Sequence, residues 1–147
     1  MIRKASAVWK GSLKEGKGTI STDSGVLSNT QYSFATRFEN GKGTNPEELI
    51  AAAHAGCFTM ALSAQLGNAG ITPDSLETTA SLTLEKLETG WTITKIHLDV
   101  AARVPGNVRA AFEKAAQEAK ANCPVSRLLK AEITMSARLA DEQATTA

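Results

Sequence analysis

The stretch Asn45-Pro46-Glu47-Glu48-Leu49-Ile50-Ala51-Ala52-Ala53-His54-Ala55-Gly56-Cys57-Phe58, which continues without Asp, Glu, Lys or Arg to Pro73, decides the fold. Asn45 suits an N-cap, Pro46 a first helical position, and Glu47 and Glu48 the positive end of a helix dipole. A helix is therefore predicted from Pro46 to about Gly67, with Gly70 and Pro73 opposing continuation. The run is long enough to raise the question of a membrane span. His54, Gln65, Asn68 and an abundance of Ala, Gly, Ser and Thr instead favour a core helix, buried on nearly all sides because it has no polar face. One small subunit has difficulty covering such a helix, which is the first indication of a dimer.

Before the helix, residues 4–10, 19–22 and 30–38 read as strands separated by the turn clusters Gly16-Lys17-Gly18 and Asp23-Ser24-Gly25. In the third, Tyr32, Phe34, Thr36 and Phe38 fall on one face and Arg37 on the other. Beyond the helix, Leu76, Thr78, Ala80, Leu82 and Leu84 alternate with polar residues, and Glu88-Thr89-Gly90 turns the chain into a second strand over Trp91–Val104. The pair makes a hairpin. Val108, Ala111, Phe112, Ala115 and Ala119 recur at helical spacing, so a helix is predicted over Val108–Ala121. A short helix from Pro124 and a strand through Ile133, Met135, Ala137 and Leu139 follow. The expectation is one α+β domain over residues 1–140, an antiparallel sheet around a long central buried helix, with a disordered tail at 141–147.

Sixteen Lys plus Arg against fifteen Asp plus Glu leave a net charge of +1, with the two signs interspersed. That balance excludes the electrostatic footprint of a nucleic-acid or anionic-membrane binder. The N-terminus alternates and carries charge where a signal peptide is apolar, so a cytoplasmic location is expected. There, thiols are kept reduced, and a transient catalytic disulfide is favoured over a lasting structural one.

Both cysteines have informative settings. Cys57 lies inside the uncharged helix, while Cys123, 66 residues later, immediately precedes Pro124 and so caps a helix whose N-terminus stabilises a thiolate. Buried cysteine is commonly only a small hydrophobe, and that reading stands beside the redox one. A reactive cysteine requires more than position: lowering a thiol pKa from about 8.5 to about 6 raises the thiolate fraction at pH 7 roughly thirtyfold, at about 3.4 kcal/mol. Arg37, with its planar fork, is the preferred donor, and Glu47 a carboxylate able to hold it, although Glu47 also reads as a simple dipole partner. His54, one turn before Cys57, reads as a satisfied core histidine in a supporting role. Phe58, Met60, Leu62 and the alanines suggest an apolar pocket around Cys57. Cys57, Cys123, His54 and His97 lack the paired spacing of a zinc site, and the two Gly-Lys-Gly-Thr runs lack the spacing of a phosphate-binding loop. No metal or cofactor is expected.

Arg37, the run Gly43 to Phe58 and Asn122-Cys123-Pro124-Val125-Ser126 together resemble the osmotically induced protein C (OsmC) family. Gly16-Lys17-Gly18-Thr19 and Ser24-Gly25-Val26-Leu27 extend the likeness, which covers about residues 3–140 and is to the OsmC rather than the Ohr branch. The resemblance implies a thiol peroxidase acting on organic hydroperoxides in oxidative or osmotic stress. Cys57 would be the peroxidatic residue, Cys123 the resolving one that closes a Cys57–Cys123 disulfide, and Arg37 and Glu47 the activating pair. It implies an external dithiol reductant, a dihydrolipoyl group on another protein, and an intertwined homodimer with the long helices at its centre. The alternative is a small-molecule or lipid binding module with inert cysteines. Glu47 and Cys57 stand ten residues apart on one predicted helix, about 15 Å along its axis, so an activating Glu47 is expected to come from the second chain.

Overall fold

The computed structural model of the protein describes residues 1–140; the tail expected at 141–147 lies outside the described residues. Ten elements follow in the order β1 (Ala5–Lys10), β2 (Lys17–Thr22), β3 (Thr30–Tyr32), α1 (Phe34–Phe38), α2 (Pro46–Asn68), β4 (Ser75–Leu87), β5 (Gly90–Arg103), α3 (Arg109–Asn122), α4 (Pro124–Leu128) and β6 (Glu132–Leu139). The α+β class read from the sequence is the observed one. The chain forms two compact units, Met1–Leu49 and Ile50–Ala147, each built on its own three-stranded sheet.

In the first unit β1, β2 and β3 pair in order, antiparallel throughout. The sheet begins β2 two residues earlier than the turn cluster suggested, at Lys17. Gly18 is then a strand residue squeezed between Trp9 and Tyr32, where an added Cβ would come within 2.5 Å of both rings. The predicted 30–38 strand is corrected: only Thr30–Tyr32 is strand, and Phe34–Phe38 is a helical turn. Ser33 Oγ accepts from the Thr36 backbone N–H at 3.3 Å while Thr36 Oγ1 accepts from the Ser33 N–H at 2.8 Å, a reciprocal capping box. The aromatic pattern misled because positions 34 and 38 share a face in a strand and also, four apart, in a helix. The two rings meet at 5.0 Å between centroids.

In the second unit β5 is the central strand. It pairs with β4 as the predicted antiparallel hairpin, but with β6 in parallel, so the sheet is mixed rather than antiparallel. The α3–α4 crossover between β5 and β6 makes parallel pairing possible, since such a connection can return the chain to the edge where it started. Ile96, Leu98, Val100 and Ala102 alternate inward from β5, and Phe112, Ala115, Ala116 and Ala119 close over them from α3. Phe58, Leu62 and Leu66, at four-residue spacing on α2, complete this core.

α2 has the length and apolar composition of a membrane span, with mean hydropathy 1.4. Within the single chain its burial is one-sided, as expected of a helix that one small subunit cannot cover alone. His54, Phe58, Leu62 and Leu66 are fully buried, while Ala52, Ala53, Gly56 and Met60 form an exposed apolar stripe on the opposite side, Met60 at 77%.

Candidate active site

The first unit supplies a guanidinium and a carboxylate. Asn45 Oδ1 accepts from the Glu48 N–H at 2.8 Å, starting α2 as its sequence requires, and Asn45 Nδ2 donates to Thr36 O at 3.0 Å, tying α1 to that start. This fixes Arg37, near the end of α1, against Glu47, in the first turn of α2. Arg37 Nε donates to Glu47 Oε1 at 2.6 Å, and the guanidinium lies 5.2 Å from the centroid of Phe38. Glu47 is thus more than a dipole partner. Beside the pair, Trp9, Leu13, Tyr32, Phe34, Arg37 and Phe38 line a cavity of about 230 Å³.

The second unit supplies two thiols. Cys123 ends α3 and caps α4, with Pro124 at the first helical position as predicted, and its Sγ accepts from the Ser126 N–H at 3.4 Å. The Val125 N–H, one residue earlier, favours the Cys57 thiolate and the Cys123 side chain disfavours it, so both groups lie beside Cys57. The free N–H groups at the start of α4 are therefore divided between the two sulfurs. Cys57 is half-buried, Cys123 buried, and both are free thiols. Burial pushes the Cys57 thiol up, opposed by the Val125 N–H and reinforced by the neighbouring Cys123.

His54 does not approach Cys57 as its donor. Its Nε2 lies 2.8 Å from Ser126 Oγ, and Ser126 Oγ lies 3.1 Å from Cys123 Sγ. Desolvation lowers the His54 pKa, so the buried ring is neutral at pH 7. Ser126 was not singled out from the sequence, although its place three residues after a capping cysteine marks it as the donor that a cap requires. Of the residues expected to line an apolar pocket at Cys57, Phe58 and Leu62 fill the core and Met60 is exposed within the single chain. The aromatic cavity beside Arg37 was not anticipated.

Residues 39–138 match the family model of OsmC-like proteins. The chain is 56% identical over 137 residues to peroxiredoxin OsmC of Escherichia coli (strain K12), covering 93% of this chain and 96% of that protein, and equally to peroxiredoxin OsmC of Shigella flexneri. An OsmC-like protein from Vibrio cholerae has the same fold, with TM-score 0.75 at 19% identity, over 94% of this chain and 99% of that one. The organic hydroperoxide resistance protein OhrB of Bacillus subtilis follows with TM-score 0.68 at 26% identity, over 92% and 97%. Agreement at this level across nearly the whole chain, in sequence and in fold, places the protein in the OsmC-like family.

Proposed function

We propose that this protein is a thiol-dependent peroxidase that reduces organic hydroperoxides to alcohols, with Cys57 attacking and Cys123 resolving. The observation that carries the reading is the nearness of the two thiols at the start of α4, where Cys123 raises the cost of ionising Cys57 and the Ser126 N–H donates to Cys123 Sγ at 3.4 Å. The Cys57 thiolate attacks the terminal peroxide oxygen, the O–O bond breaks, the alkoxide leaves as alcohol after taking a proton, and Cys57 becomes a sulfenic acid. Cys123 then displaces that hydroxyl as water and closes the disulfide. An external dithiol, of the dihydrolipoyl kind suggested by the family resemblance, restores both thiols.

The site works between two chains. Within one chain burial raises the Cys57 pKa, opposite to what a peroxidatic cysteine requires, so a cation must be brought to it. Glu47 and Cys57 share one unbroken helix, about 15 Å apart along its axis, too far for one carboxylate-held guanidinium to serve its own chain's thiol along that helix. A homodimer with α2 packed antiparallel on its counterpart, through the stripe of Ala52, Ala53, Gly56 and Met60, brings Arg37 and Glu47 of one protomer to Cys57 of the other.

The deciding experiment is loss of cumene hydroperoxide with stoichiometric formation of an intramolecular Cys57–Cys123 disulfide, read by mass spectrometry. Cys57→Ser should abolish turnover. Cys123→Ser should react once and accumulate over-oxidised or mixed-disulfide Cys57. Peroxide that persists in the presence of the reduced protein would leave a binding module with inert cysteines as the better description.

A further inference from the structure

His54 and Ser126 are left unused by the chemistry above, yet both are buried polar residues at its centre. His54 is wholly buried and Ser126 is 7% exposed. They come from elements 72 residues apart and meet at 2.8 Å, and Ser126 carries the contact on to Cys123 Sγ at 3.1 Å. His54 Nδ1 is buried with no hydrogen-bond partner among the described residues. A ring with one unsatisfied nitrogen costs stability that an apolar side chain of the same size would not. A packing role alone does not account for it. The hydrogen bonds run in one line, from imidazole to hydroxyl to resolving thiol, and the peroxidatic thiol lies beside its end.

We propose that Ser126 is a catalytic residue of the resolving step and His54 the positioning residue behind it, together forming a relay that takes the proton from the Cys123 thiol as it attacks the Cys57 sulfenic acid. The inference rests on the peroxidase reading given above. A buried thiol has no solvent base in contact with it, and it must lose its proton to become a nucleophile. In the relay Cys123 S–H gives its proton to Ser126 Oγ while the Ser126 O–H proton passes to His54 Nε2, with the ring proton on Nδ1. The S–S bond forms, the Cys57 S–O bond breaks, and the electron pair leaves with oxygen. The displaced hydroxide takes the proton back from the relay and departs as water. Cys123 sulfur is oxidised, Cys57 sulfur is reduced, and no further reactant is consumed.

The neutral ring is the form that accepts. Burial alone holds it so, with no contribution from a charged neighbour, and the titratable groups beside the line are the two thiols themselves. The first chemical step, attack of Cys57 on peroxide, does not pass through either residue. The two steps should therefore respond differently to substitution.

The test uses the full chain, rapidly mixed with cumene hydroperoxide and quenched into a sulfenic-acid trap and an alkylating agent. Mass spectrometry then follows the Cys57 sulfenic acid and the disulfide separately. Ser126→Ala should form sulfenic acid within about twofold of the wild-type rate but close the disulfide at least about tenfold more slowly, within the range of general-base effects. In the wild type the closing rate should be level from about pH 6.5 to 8, because the proton has an internal acceptor. In Ser126→Ala it should rise with pH across that range, because the proton must then leave to hydroxide or buffer. Ser126→Thr, which keeps the hydroxyl, should restore the level profile, and His54→Gln should behave as Ser126→Ala and carries the test should that variant lose its fold. A closing rate unchanged in Ser126→Ala, or slowed with the wild-type pH profile, overturns the relay. Absence of any disulfide in the wild type would overturn the peroxidase reading instead.

Discussion

Arg37 Nε donates to Glu47 Oε1 at 2.6 Å, while the other carboxylate oxygen, Oε2, is buried without a hydrogen-bond partner. The carboxylate therefore grips the guanidinium at one edge only. Its two Nη groups make no hydrogen bond among the described residues, and their N–H donors are left for an anion. A fork held at one edge and open at the other fits a thiolate or the oxygen of a peroxide.

Arg37→Lys replaces the fork with a point charge and should lower kcat/KM for cumene hydroperoxide by about a hundredfold, the scale of losing one preorganised donor. The melting temperature should hardly move, because Arg37 is 40% exposed and such a pair contributes under about 1 kcal/mol to stability. Peroxide consumption in excess dithiol, beside a thermal melt, checks both halves. A variant that loses stability along with activity would assign the pair a structural role.

Mixing Cys57→Ser with Glu47→Ala protomers should restore activity that neither parent has. In the heterodimer one of the two shared sites combines an intact Cys57 with an intact Glu47. At full exchange and equal mixing, half of the dimers are mixed and each carries one working site, so about a quarter of wild-type activity is expected. Were both residues to act within one chain, every site would stay broken and the mixture would not exceed its parents.

Bulky organic hydroperoxides should be preferred over hydrogen peroxide, with the aromatic cavity beside Arg37 as the source of the preference. Covering about 60 Å² of apolar ligand surface with Phe34 contributes about 1.5 kcal/mol, about tenfold in kcat/KM. Phe34→Ala should therefore cost cumene hydroperoxide about tenfold and hydrogen peroxide less than about twofold. Equal losses for the two substrates would remove the cavity from the account of specificity.

His54 also predicts a pH dependence of stability. Its pKa is lowered in the folded state by burial, so between that lowered value and the ordinary 6.5 the unfolded chain binds the extra proton. The neutral ring is tolerated in full above pH 6.5, and stability is lost as pH falls below it. The wild-type melting temperature should drop between pH 7 and pH 5 more steeply than that of His54→Gln. Parallel curves would show that the ring protonates in place.

The elements whose signals lie within a few residues were legible. Asn45-Pro46 set the start of α2, Pro124 made Cys123 a cap, and Phe112, Ala115 and Ala119 marked the buried face of α3. Phe34 to Phe38 was read as strand because even spacing fits two periods, and what separates them is the Ser33–Thr36 capping box, a backbone matter. The parallel pairing of β6 follows from the path of the crossover, which no property of Glu132–Leu139 records.

By itself the sequence determined the α+β class, the family, and the candidates Cys57, Cys123, Arg37 and Glu47, because helix caps, periodicity and motif spacing are local properties of the chain. Only the tertiary structure decided which of them meet. It joined Arg37 to Glu47 across the turn between α1 and α2, brought Cys123 to Cys57 through the start of α4, and turned His54 away from the nearby Cys57 toward Ser126, 72 residues on. It also showed which side of α2 one chain leaves uncovered, the stripe of Ala52, Ala53, Gly56 and Met60. Hydrogen bonds over such separations depend on how whole elements pack, and packing is decided by the sum of many weak contacts rather than by any one stretch of residues.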